Sequence, residues 1–314
     1  MLGKKIATRD AYGAALVELG KENPNVVVLD ADLSASTRTG KFAAQFPERF
    51  FQMGIAEQDM MGTAAGLAAA GKIPFASTFA MFATGRVYDQ VRNSIGYPGL
   101  NVKIGATHAG LTVGEDGATH QALEDIALMR AIPGMTVIVP ADYVEAVQAV
   151  KAAAAYVGPV YLRFTRGGVP VVFEDDYRFE LGKAALLRDG QDASIIACGV
   201  MVGAALEAAE ALSEEGLSIR VLNMGTIKPL DEEAVVKAAR DTGAIVTAEE
   251  HSIIGGLGSA VAEVLGENHP VPMKRVGVPD VFGQSGKAGE LLEHYGLSAA
   301  NLARTVREVI GRKG

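Results

Sequence analysis

Phe50-Phe51-Gln52-Met53-Gly54-Ile55-Ala56-Glu57-Gln58, followed directly by Asp59-Met60-Met61-Gly62-Thr63-Ala64-Ala65-Gly66-Leu67-Ala68-Ala69-Ala70, reads as one strand, one turn and one helix. The aromatic pair suits a pleated surface, Gly54 suits the turn, and the Ala, Met and Leu of 58–70 are strong helix formers. A short strand feeding a helix is half of a βαβ unit, and the same alternation runs the length of the chain. A first series has candidate strands at 26–29, 50–53, 73–77, 102–106, 136–139 and 160–164, with helices at 11–21, 58–70, 87–94, 122–130 and 143–155. A second, smaller series has strands at 193–198, 219–223, 244–247 and 274–278, with helices at 203–214, 232–240 and 254–265. Between them, Val172-Phe173-Glu174-Asp175-Asp176-Tyr177-Arg178 is charged and lacks helical periodicity. The fold class expected is therefore α/β: two doubly wound domains, 1–176 and 187–314.

Composition agrees with this division. At 314 residues the chain exceeds the usual single domain, and 49% hydrophobic with 21% charged residues can fill two cores. A net charge of −8 and a pI near 5.3 argue against nucleic acid or an anionic membrane as partner, because binding phosphate at scale needs surplus Lys and Arg. Two lysines in the first six residues are followed by no apolar segment of signal type, and no later run is long enough to span a bilayer, so a cytoplasmic location is expected. The only cysteine, Cys198, lies in the apolar run Ser194-Ile195-Ile196-Ala197-Cys198 and reads as a core thiol.

In a doubly wound sheet the ligand crevice lies beyond the carboxyl ends of the strands. Five polar or glycine-rich segments follow first-domain strands and are expected on one rim: Asp30-Ala31-Asp32, the Glu57 turn, Thr78-Phe79, Thr107-His108-Ala109-Gly110 and Thr165-Arg166-Gly167-Gly168. On position alone Glu57 is an ordinary first-turn acid that complements the helix dipole. Gly114-Glu115-Asp116-Gly117-Ala118-Thr119-His120-Gln121, with His108 upstream, gathers two of the five histidines and two acids near one loop. The His-x11-His spacing without a nearby cysteine fits no common zinc pattern, whereas acid/base and hydrogen-bonding work on a polyhydroxy substrate suits these side chains.

Together these segments resemble the transketolase family, specifically its thiamine diphosphate pyrimidine-binding domain and its smaller C-terminal domain. Gly-Ile-Ala-Glu-Gln at 54–58 resembles the stretch that holds the family's catalytic glutamate, and 114–121 is similar to its Gly-Glu-Asp-Gly-Pro-Thr-His-Gln signature. The resemblance implies that Glu57 bonds N1′ of the aminopyrimidine, a role that needs a carboxylate shielded from water. It also implies catalytic work for His108 at the substrate oxygens near C2 and for His120 in proton transfer at the donor C3 hydroxyl, with Asp116 on a substrate hydroxyl. Ser77-Thr78-Phe79-Ala80-Met81-Phe82 is similar to the segment that receives the ring, with Phe82 as the stacking residue and Phe79 beside it. Gly85 stands where a third family aromatic is expected, and the following Arg86 resembles deoxyxylulose-phosphate synthases and is a candidate cofactor contact. Asp32 and Leu33 match the cofactor side, while Arg9, Ser36 and Arg166 match the substrate-phosphate pocket, where a planar guanidinium binds phosphate oxygens in pairs. Glu249-Glu250-His251, in the second domain, reads as a strand end packing against the neighbouring domain.

The diphosphate and its divalent metal, Mg2+ or Ca2+, need a Gly-Asp-Gly motif with an asparagine downstream, and this chain supplies no such pair. The resemblance thus implies a separate N-terminal transketolase subunit holding the metal, in a heterotetramer with two copies of each chain, and no metal ligand here. The small-residue helix 62–70 is the expected seam. The activity implied is transfer of a two-carbon ketol unit between sugar phosphates in the pentose phosphate pathway. The rivals are the β subunit of the thiamine-dependent component of a 2-oxo acid dehydrogenase, against which the His108, Asp116 and His120 set speaks, and a split deoxyxylulose-phosphate synthase half, where an arginine is expected in place of His108. From another class, a catalytically silent assembly partner has no need to keep Glu57, His108, His120 and Arg166.

Overall fold

The computed structural model describes residues 1–313. The first sheet has seven strands which run, edge to edge, Thr226–Lys228, Thr136–Ile138, Val160–Arg163, Lys103–Thr107, Ile73–Phe79, Val26–Asp30 and Phe50–Gln52. All pairs are parallel except the first, which is antiparallel. Side chains alternate between the faces as the pleat requires: Val26, Val28, Phe75 and Leu162 face one core, Leu29, Ala76 and Tyr161 the other. Helices Thr8–Glu22 and Tyr143–Ala155 cover the first face, and helix Glu57–Ala69, through Met60, Met61 and Ala64, covers the second.

The second sheet runs Met273–Val278, Ile245–Ser252, Ala193–Ala197, Ile219–Asn223 and Ala185–Arg188, with only the last strand antiparallel. Helices Met201–Glu214 and Ala299–Ile310 bury Val202, Leu302 and Val306 on one face, and Glu232–Thr242 and Leu257–Asn268 bury Val235 and Val261 on the other. Both domains are doubly wound.

The two domains are interlocked. The edge strand Thr226–Lys228 comes from the second half of the chain yet completes the first sheet, and Lys228 Nζ donates to the carbonyls of Arg130 at 2.8 Å and Ile132 at 2.6 Å. One apolar cluster runs from Leu29 and Met60 through Val137 to Ile196 and Val261. Glu145, fully buried, accepts from Ala141 N at 2.7 Å, from Asn223 Nδ2 at 2.7 Å and from the Tyr177 hydroxyl at 3.0 Å, tying a first-domain helix to the linker and to a second-domain strand.

Several stretches depart from the sequence expectation, among them the unexpected strands Ala185–Arg188 and Thr226–Lys228 and the unexpected helices Ser34–Thr37 and Gly40–Gln45. Residues 85–96 form a tight 3-10 turn, Gly85–Val87, and a wider π-helical segment, Gln90–Gly96, instead of one regular α-helix, and Val87, Val91 and Ile95 are fully buried. The helix expected from 122 begins at Asp125, because Ala122 is bridged to Ala109 and its carbonyl accepts from Gly110 N and Arg163 Nη2. Helices Ala288–His294 and Ala299–Ile310 lie beyond the last expected helix. Among the described residues no helix is long and apolar enough to cross a membrane.

Candidate active site

Glu57 is the first residue of its helix and only 3% exposed. Gly54, at φ +68°, makes the turn that carries the chain from the strand end into that helix, leaving Ile55 77% exposed beside it. Arg86 Nη1 donates to Glu57 Oε1 at 2.8 Å, and the Arg86 carbonyl accepts from Gln58 Nε2 at 3.1 Å, so a cation neutralises the buried carboxylate. The same guanidinium lies over the Phe82 ring, 4.2 Å from its centroid. These groups line a cavity of about 420 Å3 with Asp32, Leu33, Ile55, Thr119 and His120.

The aromatic segment follows strand Ile73–Phe79 into the short helix Ala80–Thr84. Phe79 and Phe82 lie 6.1 Å apart and nearly parallel, Phe79 stacks on His108 at 3.9 Å, and His120 meets the Phe82 ring edge-on at 5.4 Å. His108 is buried and held at φ +56°, a conformation costly for any residue but glycine. Its Nε2 lies 3.1 Å from Arg9 Nη1, which can only donate; Nε2 therefore accepts, and the ring proton sits on Nδ1, donated to Thr107 Oγ1 at 2.9 Å. Burial, then the positive charges of Arg9, Arg166 and Arg38, hold the imidazole down to about 3, so it is neutral across physiological pH.

Arg9 and Arg166 reach the same rim because each follows a threonine of one interlocked pair. Thr8 Oγ1 accepts from Thr165 N at 2.8 Å, and Thr165 Oγ1 accepts from Thr8 N at 3.3 Å. Arg9 Nη1 also donates to the Ser36 carbonyl at 3.0 Å, while its Nε is buried without a hydrogen-bond partner. Arg166 Nη1 donates to the Val113 carbonyl and stands 3.7 Å from Asp116 and 3.6 Å from Glu115, both exposed. Glu57, Phe82, Arg86, Asp32, Leu33 and His120 thus converge on one cavity, Phe79 links it to His108, Arg9 and Ser36, and Arg166 with Asp116 forms a third cluster on the loop.

The resemblance assigns no role to Gln52 or to Asp30, which enters the sequence reading only as part of the rim segment Asp30-Ala31-Asp32. Asp30, buried, accepts from Leu33 N at 2.6 Å, Thr37 Oγ1 at 2.7 Å and Thr39 Oγ1 at 2.8 Å, and so shapes the loop that carries Asp32, Leu33 and Ser36. Gln52 Oε1 accepts from Asp32 N at 2.7 Å, which steadies Asp32 at φ +63°. The local signal was an acid at a strand end followed by Ser and Thr.

The models of the transketolase pyrimidine-binding domain and the transketolase C-terminal domain match residues 4–171 and 182–302. The chain belongs to the transketolase family. It is 54% identical to a putative transketolase C-terminal section of Methanocaldococcus jannaschii, covering 96% of this chain and 95% of that one. It is 48% identical to a 6-deoxy-6-sulfo-D-fructose transketolase subunit of a Clostridium species, over 97% and 95% of the two chains. A solved split-gene transketolase, described as an inactive β4 tetramer, superimposes with a TM-score of 0.93 at 59% identity, over 98% of this chain and all of the other. The chain thus corresponds to the C-terminal half of transketolase-family proteins.

Thiamine diphosphate is the cofactor of the family. The cavity suits its ring end: an aromatic face on Phe82, aliphatic walls from Leu33 and Ile55, and one buried carboxylate on Glu57 to meet a ring nitrogen. Among the described residues no group of three or more His, Cys, Asp or Glu side chains could hold a metal ion.

Proposed function

We propose that this chain, with an N-terminal partner subunit that supplies the diphosphate and metal site, transfers a two-carbon ketol unit from a ketose phosphate to an aldose phosphate. The observation that carries the reading is a buried Glu57 opening on the aromatic cavity while Arg9 and Arg166 stand on the same rim beside a neutral His108. When bound, thiamine diphosphate supplies the acidic thiazolium carbon that adds to the ketose carbonyl and accepts the charge left by carbon–carbon cleavage. Glu57 shares a proton with N1′ of the ring, and Phe82, Leu33 and Ile55 exclude water from that exchange. In this reading Arg86 gives up part of its hold on Phe82 to make room for the ring, and Asp32 flanks the cofactor. His108 and His120 serve the substrate oxygens at C2 and C3, Asp116 takes a hydroxyl, and Arg9, Ser36 and Arg166 receive the terminal anion. A sulfonate, as in the name of the Clostridium relative, carries the same trigonal array of oxygens and is an alternative terminal group.

Support for the partner comes from the relatives, which include one named as a section of a transketolase and a split-gene transketolase whose β4 tetramer is called inactive. The test mixes the chain with candidate N-terminal subunits, thiamine diphosphate and Mg2+, and assays xylulose 5-phosphate and 6-deoxy-6-sulfofructose as donors with an aldose phosphate acceptor. Turnover on a sugar donor is expected; activity on pyruvate with a lipoyl acceptor, and none on sugars, would overturn the reading. Glu57→Gln keeps an acceptor for Arg86 and should lower turnover by about 100-fold or more without unfolding the chain. A variant with full activity removes Glu57 from the mechanism.

A further inference from the structure

Three adjacent side chains end the strand Ile245–Ser252, and they point to different partners. Glu249 accepts from Leu257 N at 2.7 Å and Gly258 N at 2.8 Å and so serves the start of the next helix. His251 Nδ1 donates to the Ser252 carbonyl at 2.7 Å. Glu250 turns into the first domain instead: its Oε1 accepts from Thr112 N at 2.6 Å and its Oε2 from the Thr112 hydroxyl at 3.3 Å, and the side chain is 2% exposed. Gly110, at φ +80°, passes so close that a Cβ there would collide with the Glu250 carboxyl group.

Thr112 lies at the base of the loop that ends in Asp116 and His120, and its neighbour Val113 offers the carbonyl to which Arg166 donates. Glu250 therefore stands one residue from an arginine of the anion pocket and four from Asp116. Second-domain backbone holds the same loop elsewhere: Gln121 Nε2 donates to the Gln284 carbonyl at 3.0 Å as well as to Leu111 and Gly114, and Gly117, at φ +75°, lies against Ser285. Burying an acid is costly, and burial pushes Glu250 up to about 7 despite the opposing pull of Arg163. What the molecule gains in return is a fixed position for a loop whose base, Leu111 to Val113, is buried and whose tip, Glu115 and Asp116, is exposed.

We propose that Glu250 is a positioning residue which, through its bond to Thr112, seats the loop 110–120 and with it Asp116, His120 and Arg166 for substrate; the effect on turnover rests on the function proposed above. What matters in this role is the reach of an acceptor and not its charge. Glu250→Gln retains an oxygen at the right distance from Thr112 N, whereas Glu250→Asp retains the acid but falls short by about 1.5 Å. Amide hydrogen exchange of the chain alone is the first readout. Exchange at 112–120 is expected to quicken by about tenfold or more in Glu250→Asp and to stay near wild type in Glu250→Gln. In the assembled enzyme, kcat/KM on the sugar donor should fall by roughly tenfold in the Asp variant and by less than about threefold in the Gln variant. The reverse order, with Gln worse than Asp in either readout, overturns the proposal in favour of a charge partner for Arg163, and so does unchanged exchange in the Asp variant. A wild-type complex inactive on sugars refutes the function alone, since the exchange measurement needs no turnover.

Discussion

His108 occupies an unusual combination of positive φ, burial and a cationic neighbourhood, and the combination decides its chemistry. An imidazole that cannot charge is a hydrogen-bonding group rather than an acid, and its ring proton lies on the side of Thr107 while Arg9 occupies the other nitrogen. The folded value, about 3, lies below the ordinary 6.5, so the folded state binds fewer protons between them and stability is lost as pH falls through that window. NMR titration of ring-labelled histidines should show His108 still neutral at pH 4.5, with its midpoint moving upward in Arg9→Ala. A wild-type His108 with a midpoint near 6 would mean that its burial and cations have been misread. For Nε2 to accept from a substrate hydroxyl Arg9 must also shift, because Arg9 already donates to Nε2.

Strand Lys103–Thr107 shows how an element fixes the rim. Gly105 faces the fully buried Tyr12, whose hydroxyl bonds Ser77 Oγ at 2.6 Å and whose ring stacks on Phe164 at 4.8 Å; a Cβ at 105 would collide with that hydroxyl. Gly105→Ala should therefore cost about 1–3 kcal/mol in chemical denaturation, since neither strand nor helix can yield without moving Thr107 and His108. An unchanged midpoint would mean that Tyr12 repacks freely. Elements with local signals were legible in the sequence: Tyr143–Ala155 begins where Asp142 accepts from Glu145 N at 2.9 Å, and Ile219–Asn223 is a continuous buried run. Helix Ala299–Ile310 repeats Leu302, Val306 and Val309 at helical spacing, but Arg304, Arg307 and Glu308 dilute the pattern. Three-residue strands such as Thr226–Lys228 offer no alternation to read. Glu57, Phe82 and the histidine loop stood out because their motifs are contiguous. Glu250 was legible only as part of a strand end that packs against the neighbouring domain, because the partner that defines it, Thr112, lies 138 residues away.

For the molecule as a whole, the two domains share buried acids as well as apolar surface. Glu145 is pushed by burial from 4.5 up to about 7, so the folded chain binds the extra proton between those values. The sign follows: this group's stabilising contribution is present in full below 4.5 and is lost as pH rises to 7, a change of about 3 kcal/mol. The stability of wild type relative to Glu145→Gln should fall by about that amount over this window, measured by urea unfolding at each pH. A constant difference would show that Glu145 does not titrate there. The linker between the domains is held in the same manner, by Asp142 accepting from Val172 N and Phe173 N and by Tyr177 reaching Glu145. Since the strand that finishes the first sheet arrives from beyond that linker, a protease nick within 174–178 should leave two fragments that co-elute as one particle in size-exclusion chromatography; separate elution would show that backbone continuity there is needed.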